Sequence, residues 1–184
     1  MLAIPTKLTL WMIGAAVPAA IALAQNTPPA DPDLPRLYQV TADITTAAQP
    51  SSEGLAKLQL RGYQAIMNLR LEEEGALEER LVVEKLGMVF LHVPIRDLDR
   101  QTVERFAKAL REAPRPLLIH GDSGNPVGAL WMIYRVFNGA NLSEARSEAE
   151  AIGLSDPDLM HKALVYIQQH SRATANQTAP SPPP

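Results

Sequence analysis

No cysteine occurs in the 184-residue sequence. That absence excludes disulfides, thiolate metal sites and every mechanism that begins with a cysteine nucleophile. An excess of one charge is lacking too: 17 basic and 20 acidic residues leave a formal net charge of −3, with the acidic side chains dispersed. Such a balance supplies neither the basic footprint of a nucleic-acid binder nor a basic membrane-binding face, so no nucleic-acid partner is expected. The four histidines, His92, His120, His161 and His170, show no metal-ligand spacing, and neither a metal nor a cofactor is expected. Missing as well are the glycine spacing of dinucleotide sites, the Gly-Lys-Ser/Thr ending of nucleotide-binding loops, and any internal repeat. What is present is ordinary: 46% hydrophobic and 20% charged residues are the composition of one globular domain.

Long hydrophobic runs are confined to the start of the chain. Lys7 precedes an apolar stretch from Leu8 to Leu23, and Ala22-Leu23-Ala24 follows before Gln25. This reads as a secretory signal cleaved after Ala24. The alternative, a retained anchor, meets a run shorter than the roughly 20 residues a bilayer span needs, interrupted by Gly14 and Pro18. The expected location is periplasmic or secreted, with no stable membrane span after cleavage. Residues 1–24 are then the signal peptide, 25–35 a Pro/Asp/Ala-rich linker, 36–171 the domain, and 172–184 a disordered Pro-rich tail.

Between these limits strand-like and helix-like stretches alternate. Short strands are expected near Leu37–Val40 and Ile44–Ala48, then a helix capped by Ser51 or Ser52 and ended by Gly62. A strand over Tyr63–Leu69, a helix over Glu74–Leu86 and a strand over Met88–Ile95 follow. Asp99 caps a helix over Arg100–Glu112, and Pro116–His120 is a buried strand. An apolar helix over Val127–Phe137, a helix over Ser143–Ile152 and a last helix capped by Asp156 and running to about His170 complete the pattern. The alternation predicts a three-layer α/β fold, its mainly parallel sheet flanked by helices. In such sheets ligands bind beyond the carboxyl ends of the strands. His120-Gly121-Asp122-Ser123-Gly124-Asn125-Pro126-Val127 lies there: a buried strand, a Gly-containing turn and an apolar helix bring backbone N–H groups together at a helix N-terminus, where anions are favoured.

The stretch Leu118 to Trp131 resembles the phosphate-binding loop and following helix of cysteine-dependent tyrosine/dual-specificity phosphatases, and most of all the bacterial beta-lactamase-hydrolase-like phosphatases. Their loop reads His-Cys-x-x-Gly-x-Arg; His120, Gly124 and the helix opening at Val127-Gly128 match it. Ala48-Gln49-Pro50-Ser51 resembles the family's Gly-Gln-Pro-Ser, and Ile66-Met67-Asn68-Leu69-Arg70 its Val-Ile-Asn-Leu-Arg strand. The resemblance runs from about Leu37 to Ile167 and implies the tyrosine/dual-specificity phosphatase fold.

It also implies a defect. In the family a cysteine thiolate attacks phosphorus, an arginine forks onto the phosphoryl oxygens and an aspartic acid protonates the leaving group. Gly121 stands at the cysteine position and Pro126 at the arginine position; a register one residue longer puts Val127 there, and neither register supplies a guanidinium. Asp97 and Asp99 are the candidate acids, with the plainer alternatives of a solvated loop residue and a helix cap. Asp122 or His120 as a substitute nucleophile is the route to an active hydrolase. Against it, the family's histidine orients the loop, and an added carboxylate repels phosphate unless a metal is present. Glu72, Glu73, Glu74, Glu78 and Glu79 read as a solvated helix start, and Trp131, Met132 and Tyr134 as a core helix. The expectation is a non-catalytic phosphatase-fold module that binds a phosphorylated protein or a small phosphate or sulfate anion. The alternatives are an active phosphatase using non-standard residues and a structural paralogue with a filled loop.

Overall fold

The computed structural model describes residues 31–178, with side chains to residue 171. The expected signal segment, its expected cleavage after Ala24 and the end of the tail lie outside the described residues. Five strands form one sheet in the order β1 (Tyr38–Gln39), β2 (Ile44–Ala47), β5 (Leu117–His120), β3 (Ala65–Asn68), β4 (Val89–His92). β1 is antiparallel to β2 and every other pairing is parallel.

Side chains alternate across the strands, and the two faces bury different helices. Ile66 and Leu118 pack with Leu55 and Leu58 of α1 (Ser52–Leu60) and Val83 of α2 (Ala76–Lys85). Met67, Leu117 and Ile119 pack on the other face with Phe106 and Leu110 of α3 (Arg100–Glu112) and Val127 and Leu130 of α4 (Gly124–Phe137). Beyond α4 lie α5 (Leu142–Ile152) and α6 (Pro157–Thr178), packed through Met132, Ile133, Ala149 and Tyr166. Trp131 is 3% exposed, and its indole N–H donates to Glu148, which also receives Arg135. No described helix is long and apolar enough to cross a membrane.

The expected caps are in place. Ser51 accepts from the Gly54 N–H, Asp99 from Thr102 and Asp156 from Asp158. Four expectations need correction. First, residues 31–35 are not linker. Leu34 is 1% exposed in the α1 core, and Asp31 and Asp33 flank the Lys57 ammonium at 2.8 and 2.7 Å. Second, the helix expected from Glu74 is a 3₁₀ turn over Glu72–Glu74 followed by Gly75 at φ 86°, where α2 begins anew. A left-handed residue interrupts the helical hydrogen bonds, and glycine takes that conformation without strain. Third, α4 begins at Gly124 rather than Val127. Pro126 stands in the first turn, whose N–H groups have no partner in the preceding turn, so proline is tolerated. Fourth, α6 continues to Thr178, past the boundary expected at Arg172, because no proline occurs between Pro157 and Pro180 to stop it.

Candidate functional site

The carboxyl ends of the central strands are aligned by register. Ala47 pairs with His120, His120 with Asn68, and Asn68 with His92. By the period of two, Asn68 and His120 point to the same face as Ile66 and Leu118, toward α2. On α2 the buried positions are Ala76, Glu79 and Val83, so Glu79 is carried inward over the strand ends. It is 7% exposed, and His120 and Asn68 are fully buried.

Four side chains meet there. The Glu79 carboxylate receives His120 Nε2 at 2.7 Å and Asn68 Nδ2 at 2.9 Å on Oε1, and Gln49 Nε2 at 2.7 Å on Oε2. Burial pushes the Glu79 carboxyl up, but the hydrogen bond and charge of His120, with Gln49 and Asn68, outweigh it and leave the group below its ordinary value. Glu79 is therefore not part of a solvated helix start, as its glutamate-rich surroundings suggest, but the centre of a buried network. Its spacing of three from Ala76 and four from Val83 is the signal that places it on the apolar face. Gln49, Asn68 and His120 belong to three separate motifs of the sequence, and the fold brings all three to one carboxylate.

Above this network β5 passes into the loop. Ser123 caps α4, accepting a 3.4 Å contact from the Asn125 N–H. The N–H groups of Asp122, Ser123 and Gly124 have no hydrogen-bond partner among the described residues. Gly124 and Gly128 let α4 approach α5: a β-carbon at 124 would stand 2.4 Å from the Ile152 carbonyl oxygen, and one at 128 would stand 2.7 Å from that of Ala149. Asn125 faces away from the loop, its Oδ1 accepting from the N–H groups of Ser155 and Asp156 at 2.8 and 2.9 Å. Val127 is fully buried in the core. Asp122 is exposed.

The remaining pair is Gly121 and Pro126. Gly121 is buried, and a β-carbon there would lie 2.8 Å from Pro126 Cγ and 3.2 Å from the Ser123 carbonyl oxygen. The proline ring occupies the space into which any side chain at 121 would extend.

Asp97 and Asp99 stand apart from these residues. Both are exposed, in a cleft of about 440 Å³ that they share with Arg96 and Arg105 and that no residue of 120–127 lines. Hydrogen bonds from Thr102 hold the Asp99 carboxyl below the usual carboxylate range, the wrong direction for a group that must keep a proton near neutral pH. Among the described residues no cluster of three or more His, Cys, Asp or Glu side chains could hold a metal ion.

Residues 36–166 match the family model described as DSP-PTPase phosphatase fused to NAD+ kinase. The chain belongs to this family. The matched region contains the whole loop together with Gln49, Asn68 and Glu79. A beta-lactamase hydrolase-like protein of Xylella fastidiosa is 22% identical over 146 residues, which are 76% of this chain and 33% of that protein. The chain thus spans about a third of the length of the curated relatives it matches. Among solved structures, a DUF442 protein of Shewanella putrefaciens aligns with a TM-score of 0.62 at 16% identity, covering 76% of this chain and 91% of that one. TpbA of Pseudomonas aeruginosa in complex with pTyr aligns with a TM-score of 0.59 at 23% identity, covering 75% and 85%. The fold is that of the tyrosine/dual-specificity phosphatases, and the chain carries it without a cysteine.

Proposed function

We propose that this protein is an exported pseudophosphatase, a phosphatase-fold module that binds rather than hydrolyses. The contact of Pro126 with Gly121 carries this reading. By the family resemblance these two positions hold the nucleophilic cysteine and the phosphate-clamping arginine. Here one has no side chain and the other lays its ring over the place where that side chain would be. Substitute nucleophiles are poorly placed: His120 is buried beneath the loop with Nε2 committed to Glu79, and Asp122 is exposed and belongs to no cluster of possible metal ligands among the described residues. The apolar run Leu8–Leu23 supports export, to the periplasm or beyond.

The free N–H groups of Asp122, Ser123 and Gly124 leave the loop a weak anion nest, suited to a phosphate or sulfate ion or a phosphorylated protein side chain. Phosphotyrosine, the ligand in the TpbA complex, is one form of the latter. Loop amides and the α4 dipole favour an anion by about 1–2 kcal/mol, while the missing guanidinium forgoes charge-assisted bonds of about 1.5–3 kcal/mol. The expected affinity is millimolar or weaker. An NMR titration with inorganic phosphate and phosphotyrosine should move the amide signals of residues 121–124. Because Asp122 faces solvent, Asp122→Asn should change the affinity by no more than about twofold, the scale of a surface substitution. Shifts confined to other parts of the domain would remove the loop from the proposal.

A further inference from the structure

The stretch Ile66-Met67-Asn68-Leu69-Arg70 ends on a cation that the Glu79 network does not use. Arg70 follows β3, which lies beside β5 with Asn68 opposite His120. The pairing runs one step further, the Leu69 N–H donating to the His120 carbonyl at 2.9 Å. Arg70 therefore leaves the sheet alongside the start of the loop, since neighbouring strands lie about 4.8 Å apart. Its backbone is tied on both sides: the N–H donates to Asn68 Oδ1 at 2.7 Å, and the carbonyl accepts from His92 Nε2 at 2.8 Å.

The side chain has no such ties. Arg70 is partly buried, its Nε is wholly buried, and no acceptor meets that nitrogen among the described residues. The carboxylates nearby are engaged elsewhere: Glu73 by Arg96 at 2.6 Å, Glu74 by the Leu71 N–H at 2.7 Å, and Glu79 by His120, Asn68 and Gln49. Glu78 reaches the same turn, for a β-carbon on Gly75 would stand 3.6 Å from its Oε2 and 3.7 Å from Arg70 Nη2, yet the two side chains form no ion pair. A guanidinium is always charged and carries only donors, and a buried donor without an acceptor is costly. The loop has the same deficit, since the N–H groups of Asp122, Ser123 and Gly124 lack acceptors too. Donors without acceptors thus stand at the carboxyl ends of two adjacent strands.

We propose that Arg70 supplies the guanidinium that Pro126 withholds: a phosphate-type oxyanion is held between the Arg70 side chain and the N–H groups of residues 122–124. This rests on the anion-binding reading of the loop and adds to it a residue from outside the loop, on the neighbouring strand. Charge-assisted bonds are the strong ones, so Arg70 carries the largest single share of an affinity that the amides alone would leave weaker.

The test titrates inorganic phosphate into the full chain at constant ionic strength and reads two sets of NMR signals together, the backbone amides of residues 122–124 and the Arg70 Nε–H, which burial shields from exchange. Both should move with one dissociation constant. Arg70→Met keeps the aliphatic stem and should weaken binding about tenfold, the scale of one charge-assisted hydrogen bond. Arg70→Lys keeps the charge without the fork and should fall between the two. Lys85→Met removes an equal charge at an exposed site in the last turn of α2 and should leave the constant unchanged. If the amides move while the Arg70 signal stays, or if Arg70→Met binds as the wild type does, the inference falls and the anion reading of the loop stands. Movement of the Arg70 signal without the amides places the anion away from the loop and also overturns it. If neither moves, both readings fall together. Should Arg70→Met fail to fold, the two wild-type signals decide alone.

Discussion

Glu79→Ala is expected to cost about 3–5 kcal/mol of folding stability, because three donors lose one shared acceptor at once and each buried polar group left unsatisfied costs about 1–3 kcal/mol. Against a net stability of roughly 5–15 kcal/mol for a domain, that is the difference between a folded protein and a marginal one. The size follows from the number of groups abandoned together: His120, Asn68 and Gln49 each lose their acceptor, and two of the three are fully buried. Urea unfolding at pH 7 measures the loss. A pH dependence accompanies it. The folded-state pKa of Glu79 lies below its ordinary value of 4.5, so its contribution is complete above that value and disappears as the pH falls through the folded-state value. The wild-type protein should therefore lose stability below about pH 4.5, and Glu79→Ala should show a shallower acid limb. A change near zero at pH 7 would mean that the carboxylate is solvated and the network is not closed.

The second large effect concerns Gly121 and Pro126 as a pair. Gly121 is not in the left-handed region, so space alone decides what it tolerates, and the nearest obstacle to a side chain is the Pro126 ring at 2.8 Å. A proline ring in a helix has little freedom to move aside. Gly121→Cys should cost about 1–3 kcal/mol, as overpacking of a buried site does. Combined with Pro126→Arg, most of that cost should vanish, giving a coupling energy of about 1–2 kcal/mol in a double-mutant cycle. The same double variant places a thiol beside the loop N–H groups and a guanidinium at the start of α4. It should bind phosphate at least tenfold more tightly, the equivalent of about 1.4 kcal/mol, and gain slow hydrolysis of aryl phosphates. Strict additivity together with unchanged phosphate affinity would show that the loop does not have the phosphatase shape and that the correspondence of 121 and 126 with the family's cysteine and arginine is wrong.

Much of the architecture is legible in the sequence because it rests on local signals. The short apolar runs around Ile66 and Leu118 are strands buried on both faces, and Ser51, Asp99 and Asp156 are capping residues just ahead of helical patterns. The strand order is less accessible, since parallel pairing is decided by crossovers rather than by any local signal. Leu34 was hidden in a segment dominated by Pro and Asp, whose composition describes a linker while one leucine and one lysine partner on α1 hold it down. Pro126 reads as a helix breaker, yet it sits within the first turn, and only the fold shows its ring against Gly121. The largest omission is Glu79. In a run of glutamates its charge argues for solvent, and the opposing evidence is its position between Ala76 and Val83. A buried carboxylate is costly until its donors are known, and those donors come from Gln49, Asn68 and His120, residues far apart in the chain.

The central proposal is that the phosphatase fold persists here without phosphatase chemistry. Its most direct test is turnover of an aryl phosphate by the purified protein across neutral and mildly acidic pH. Removal of both the nucleophile and the arginine from one catalytic unit leaves little beyond binding, so the expected rate is that of buffer alone. Hydrolysis that co-purifies with the folded protein and disappears in Asp122→Ala would contradict the account and make the protein an enzyme with an unorthodox nucleophile.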